Sequence, residues 1–249
     1  MLENNCVNHP AADCLLRNKR NGTANLKRQF RVFDCHKDIE IFQCASLVKS
    51  GGVIVYPTDT IYGIGCNPYN DKSVERIFKI KGRNKNNPLP ILASNIQDIE
   101  KIVSLGKIGK LLARTYWPGA LTIISPIIDE NISTKVTSGK MSIGVRIPNN
   151  KCILSLLRHC KYLVGTSANK SGENPSKNPS EIISSPLHGF DALLDGGTVE
   201  GGVESTIVDL TDFTPKIIRE RAITSQEIYK VLAGNRFDSN DFQSDSFDF

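Results

Sequence analysis

The stretch that decides the fold is residues 51–95, GGVIVYPTDTIYGIGCNPYNDKSVERIFKIKGRNKNNPLPILASN. Val53 to Tyr56 is a short apolar run rich in β-branched residues, bounded by Gly51-Gly52 and Pro57, and reads as a buried strand. Thr58-Asp59-Thr60-Ile61-Tyr62-Gly63 follows as a polar turn that presents hydroxyls just beyond the strand end. Asp71 is placed to cap a helix in which Val74, Ile77 and Phe78 recur at helical spacing. The helix runs out into Lys81-Gly82-Arg83, and Asn87-Pro88-Leu89-Pro90 enforces an extended exit. A strand, a hydroxyl-lined loop, a helix and two cations at its end make a place to hold an anionic substrate.

Outward from this unit, helix and strand signals alternate. Segments 37–49, 96–103, 108–116, 151–159 and 225–232 read as helices, the third stopped by Trp117-Pro118-Gly119. Segments 89–93, 121–124, 143–147, 162–164, 192–194, 205–210 and 216–219 read as strands. Such interleaving predicts an α/β fold, with strand order left open, and no internal repeat or second domain boundary is visible.

The composition narrows the class. A chain of 249 residues suits one large domain with tails, and a net charge of +5 is a mild basic bias. Seven cysteines with no CxxC pair argue against a disulfide framework or a zinc ribbon, and predict reduced thiols in a cytoplasmic protein. No stretch has the length of a membrane span, and the N-terminus lacks the apolar core of a secretory signal. Residues 1–33 are polar and basic and read as a flexible extension. Residues 235–249 carry four aspartates and four phenylalanines and read as a flexible acidic tail. The folded domain is then expected over 34–234.

Four polar stations interrupt the apolar scaffold at strand ends, where open α/β sheets place ligands. They are Thr58, Thr60 and Tyr62 with Lys81 and Arg83; Arg146; Thr166-Ser167-Ala168-Asn169; and Glu204-Ser205-Thr206 behind a glycine-rich approach. Each has a plainer alternative. Thr58 and Thr60 can satisfy turn backbone, Lys81 and Arg83 can be a solvated helix end, and Ser167 and Asn169 can cap the next segment. Arg146 is harder to explain away, because in an apolar run its charge must reach solvent, a carboxylate or a phosphate. Cys66, His159 and His188 have no partners at ligand spacing and read as structural.

With Pro57-Thr58-Asp59-Thr60-Ile61-Tyr62-Gly63, Lys81-Gly82-Arg83, Asn87-Pro88-Leu89, Thr166-Ser167-Ala168-Asn169 and Ser205-Thr206-Ile207-Val208-Asp209 in this order, the chain resembles the YrdC/Sua5 family over about residues 36–233. The resemblance implies a single YrdC-like domain: a twisted open mixed β-sheet with helices packed around it and a large basic cleft. It implies the single-domain form, the chain being short for the additional C-terminal domain of the Sua5 branch. It also implies a threonylcarbamoyl-AMP synthase, a nucleotidyltransferase that converts L-threonine, bicarbonate and ATP with Mg²⁺ to threonylcarbamoyl-adenylate and pyrophosphate. The product would go to a tRNA-modifying complex that transfers the threonylcarbamoyl group to adenosine 37.

Carried over by motif, Lys81 and Arg83 are the expected catalytic cations. Thr60, Tyr62, Arg146, Ser167 and Ser205 fall on the threonine side, and Thr58, Arg83, Asn87, Ser142, Asn169, Ser176 and Arg219 on the ATP side. No G-x-x-x-x-G-K-[ST] element is present, so ATP binding would not be of the P-loop kind. Two departures stand out. Many relatives have Arg-Pro-Gly where this chain reads Arg219-Glu220-Arg221, and Leu89 to Ser94 lacks the histidine of Sua5-type members. The other reading is a double-stranded RNA-binding module of the same fold, for which Lys72, Arg76, Lys79, Lys81, Arg83 and Lys85 crowd one region.

Overall fold

A computed structural model describes residues 30–235 apart from residue 213. The chain enters as strand β1 (Arg31–Asp34) and helix α1 (Asp38–Lys49), then forms β2 (Ile54–Pro57) and turns back as β3 (Tyr62–Gly65). β1 lies partly within the expected N-terminal extension. Its strand character comes from parallel pairing with a strand some 160 residues later, Arg31 lying opposite Ala192, and no local pattern announces it. The rest of that extension and the acidic tail lie outside the described residues.

Helix α2 (Asp71–Lys81) is capped by Asn70, whose side chain accepts the Ser73 N–H at 3.0 Å. Asp71, the cap expected from sequence, occupies the first helical position instead, where its charge favours the helix dipole. Gly82 ends the helix in the left-handed conformation (φ 62°), which a glycine adopts without steric cost. There follow β4 (Ile91–Leu92), α3 (Ile96–Ile99), α4 (Gly106–Tyr116), β5 (Leu121–Pro126), α5 (Thr134–Thr137), β6 (Ser142–Arg146), α6 (Lys151–Cys160), β7 (Leu163–Val164) and β8 (Thr166–Ser167). The chain then runs through α7 (Pro179–Ser184), β9 (Ala192–Asp195), β10 (Thr206–Asp209), β11 (Lys216–Arg219) and α8 (Ser225–Ala233).

The α/β class is as expected, but the strands divide into two mixed sheets rather than one. The first has order β1-β9-β2-β3-β8 and the second β11-β10-β5-β6-β4-β7. They meet where the chain leaves β7 in one sheet, passes Gly165 and enters β8 in the other. At this seam the Val164 N–H donates to Cys66 O (2.9 Å) and the buried Tyr56 hydroxyl donates to Val164 O (2.9 Å). β3 and β7 approach so closely that a Cβ on Gly65 would overlap the Val164 carbonyl oxygen.

Alternation along the first sheet assigns its faces. Ile54, Tyr56, Ala192 and Leu194 pack under α1 and α6, against Ile41, Cys44, Leu156 and Leu157. Val53, Val55, Ile64 and Leu193 face the larger core, which is shared with α2, α4 and the second sheet. The loops at the seam are therefore held from both sides by packed apolar layers. No helix among the described residues is long and apolar enough to cross a membrane.

Candidate active site

The cleft lies at the seam between the two sheets and has a volume of about 190 Å³. The β2–β3 turn forms one wall. Thr58 Oγ1 accepts the N–H groups of Thr60 (3.1 Å) and Ile61 (3.2 Å), donates to Ile61 O (2.7 Å) and meets Thr60 Oγ1 at 2.9 Å. Thr58 thus holds the turn and places the Thr60 hydroxyl. Gly201 lies flat on this turn, where a side chain would collide with the Asp59 carbonyl oxygen, and the Gly202 N–H donates to Thr60 O at 2.6 Å.

Arg146, at the end of β6, reaches the turn from the second sheet. It is 6% exposed and donates from Nε to Gly119 O (2.9 Å), from Nη1 to Thr60 Oγ1 (3.3 Å) and from Nη2 to Asp59 Oδ1 (2.7 Å). Burial lowers its pKa and the Asp59 carboxylate opposes that shift. The question raised by a cation in an apolar run is answered by Asp59, which was not singled out from sequence. Opposite, Ser205 Oγ lies 2.9 Å from Thr122 Oγ1. Arg219 on β11 donates to Ser205 O (3.1 Å) and Ser205 Oγ (3.4 Å) and pairs with Glu204 at 2.9 Å. Arg83 donates to the carbonyls of Asn87 (3.3 Å) and Pro88 (3.1 Å), which fixes its guanidinium over the extended exit from α2.

Lys81, at the end of α2, reaches the loop after β8. It is 2% exposed, and Nζ donates to the carbonyls of Ser167 and Asn169 (the latter at 2.7 Å) and lies 3.5 Å from Ser167 Oγ. Burial, and then the Arg83 charge, brings its pKa down to about 8, against the pull of Glu204. The two carbonyls stabilise the ammonium, so Lys81 ties the loop after β8 to the end of α2. Asn169 donates to Lys170 O (3.0 Å) and Glu173 O (2.6 Å), and its Oδ1 is buried without a hydrogen-bond partner.

The cleft therefore brings together Thr58, Thr60, Arg83, Arg146, Ser167, Ser205 and Arg219. Lys81, Tyr62, Asn87, Ser142, Asn169 and Ser176 do not line it. The Tyr62 hydroxyl points to the glycine-rich loop, donating to Gly197 O (2.7 Å) and accepting the Gly196 N–H (3.2 Å), and burial raises its pKa. Ser176 carries the carbonyl that accepts the Tyr62 N–H (2.9 Å). Among the lining residues with a hydroxyl or carboxylate side chain, Tyr56, Thr122, Thr166 and Glu204 were not assigned from sequence. Thr166 and Glu204 open two of the polar stations, whereas Thr122 is a hydroxyl inside an apolar strand and gives no signal.

Within the cleft, Arg146 and Arg219 each face a carboxylate, Asp59 and Glu204 respectively. The cation crowding around α2 is also partly neutralised. Arg76 grips Asp191 with two bonds of 2.9 Å, while Glu75 draws in Lys135 (3.0 Å), Lys79 (3.4 Å) and Lys85 (3.9 Å). No group of three or more His, Cys, Asp or Glu residues among the described ones is arranged to hold a metal ion.

Fold and site together define an α/β protein with an arginine- and hydroxyl-lined cleft, built at the junction of two mixed sheets and without a P-loop. The chain belongs to the Sua5/YciO/YrdC family, described as Telomere recombination, whose pattern matches residues 46–221. It is 35% identical over 198 residues to a threonylcarbamoyl-AMP synthase of Bacillus subtilis, covering 78% of this chain and 57% of the relative. Pyrococcus abyssi Sua5, solved in complex with L-threonine, superposes with a TM-score of 0.77 at 29% identity, covering 82% of this chain and 60% of that one. Escherichia coli YciO superposes with a TM-score of 0.72 at 25% identity, covering 81% of this chain and 99% of that one. The chain thus spans somewhat over half the length of its curated Bacillus relative.

Proposed function

We propose that this chain is an L-threonylcarbamoyladenylate synthase acting in tRNA adenosine modification. The observation that carries the reading is the convergence of Thr60, Arg146, Ser205, Arg83 and Arg219 on one cleft, in a fold shared with a protein crystallised with L-threonine. In the reaction, the threonine amine combines with bicarbonate to give a carbamate and water. A carbamate oxygen then attacks the α-phosphorus of ATP, forming the acyl-phosphate bond as pyrophosphate leaves.

Both partners are anions, so the site must supply fixed positive charge and exclude water. Arg146 has three of its donors committed and offers its remaining N–H groups to the threonine carboxylate, beside the Thr60 and Ser205 hydroxyls. Arg83 and Arg219 face the triphosphate. Lys81 and Asn169 act through the β8 loop and position Ser167 between the substrates. A volume of about 190 Å³ suits the amino acid and the reacting phosphate, with the rest of the nucleotide extending past Arg83 and Arg219. Catalysis is then by positioning and electrostatics, with no covalent intermediate on the protein.

Mg²⁺ would arrive with ATP and neutralise part of the triphosphate charge. The product would pass to a tRNA-modifying transfer complex, and the free thiols among the described residues suit a reducing, cytoplasmic setting. The α2 cations are drawn toward Glu75 and Asp191, which favours the enzyme over an RNA-binding module.

The test is pyrophosphate release from ATP with Mg²⁺ and bicarbonate, with and without L-threonine, with the product identified by mass. Threonine-dependent release of a species with the mass of threonylcarbamoyl-adenylate is expected. Release that ignores threonine would overturn the substrate, and no release alongside salt-sensitive RNA binding would overturn the reaction.

A further inference from the structure

Glu204 is the one carboxylate among the described residues that line the cleft. It sits immediately after the Gly201-Gly202 approach and immediately before Ser205, whose hydroxyl meets Thr122 at 2.9 Å. Its backbone is thus tethered on the strand side, while its side chain, 33% exposed, has room to turn. Oε2 takes Nη1 of Arg219 at 2.9 Å, and Oε1 accepts no hydrogen bond among the described residues. The carboxylate also acts at a distance on Lys81 and Arg83, opposing the downward shifts that burial imposes on both. A negative charge therefore stands among the cations assigned to a triphosphate.

Bare ATP would be repelled by that charge and would have to compete with it for Arg219. ATP carrying a divalent cation would not, because magnesium is commonly held by one or two protein carboxylates, substrate phosphate oxygens and water. A carboxylate beside the phosphate-binding arginines, with one oxygen on Arg219 and the other without a hydrogen bond among the described residues, can supply one such protein ligand.

We propose that Glu204 is the protein's own ligand to the magnesium ion that accompanies ATP, and that by engaging the metal it releases Arg219 to the phosphates. The inference rests on the ATP-dependent reading given above. Glu204 then couples metal and nucleotide: without magnesium it works against ATP, and with magnesium it works for it.

The experiment is equilibrium binding of ATP to the full chain by calorimetry, with MgCl2 or with EDTA, for wild type, Glu204→Gln and Glu204→Ala. No turnover is needed. Wild type is expected to bind ATP about tenfold more tightly with magnesium than without. In both variants the metal-free affinity should rise by about tenfold and the magnesium increment should largely vanish. If both variants weaken ATP equally with and without magnesium, Glu204 only orients Arg219 and the proposal is wrong. Unchanged affinities under both conditions overturn it as well. Wild-type protein that binds no ATP under either condition overturns the ATP reading itself, and this inference with it.

Discussion

A guanidinium as buried as Arg146 is tolerated because Asp59, Thr60 and Gly119 accept from it, and each partner is in turn exposed to its loss. Arg146→Ala leaves the Asp59 carboxylate, itself only 16% exposed, without its counter-charge. The variant should lose about 3 kcal/mol of unfolding free energy in urea; a loss below about 1 kcal/mol would mean that water replaces the arginine freely. Lys81 makes a prediction in pH. Its folded pKa, about 8, lies below that of an unfolded lysine, about 10.4. The unfolded chain therefore holds more protons between those values, and the contribution of Lys81 to stability improves as pH rises through that window. The unfolding free energy of wild type relative to Lys81→Met should shift toward wild type by about 2–3 kcal/mol between pH 7.5 and 10.5. A flat difference would place the pKa at its ordinary value. The sequence named both cations, but it could not show that Lys81 donates to the carbonyls of the loop after β8. That depends on α2 and β8 meeting across 86 residues.

Among the elements, those with a strong helical period, α4, α6 and α8, were legible to within a few residues. Those that owe their form to distant partners were not. β3 was taken for part of a polar turn because Gly63 and Gly65 dilute its strand character, yet both face the ring of Tyr56, where a Cβ would crowd it. β8 is two residues long and exists because Ser167 and Thr166 find Gly63 and Ile64. The short helices α5 and α7 bury few apolar side chains and carry too little period to be read. The seam between β3 and β7 is where this blindness matters most, because no single segment records that two sheets join there. Gly65→Ala should force the Val164 carbonyl away and cost about 3 kcal/mol, as overpacking against a rigid neighbour does. Urea unfolding measures it, and a variant as stable as wild type would show that the seam can open without cost.

Over the whole molecule, the cleft is legible as a set of stations at strand ends and illegible as a charge balance. The sequence supplied Arg83, Arg146 and Arg219, while the pairings that offset two of them emerge only in the fold: Asp59 meets Arg146 across the seam, and Glu204 meets Arg219 within the second sheet. Thr60 belongs to the first sheet, and Arg146, Ser205 and Arg219 to the second or its immediate approach. A ligand held by both walls braces the seam and opposes unfolding of the entire domain. Ligand present at about 100 times its dissociation constant adds about 2.7 kcal/mol, and each kcal/mol is worth roughly 2–4 °C in a domain of this size. Threonine and MgATP, each at that excess, should therefore each raise the melting temperature by about 5–10 °C. The division of labour can be separated by variant. Arg219→Ala should lose most of the MgATP shift and keep most of the threonine shift. Arg146→Lys, which retains the charge but not the three-way anchoring, should do the reverse. If either substitution abolished both shifts while the unliganded melting temperature held, the two arginines would not serve separate substrates, and the assignment of threonine to Arg146 would fall.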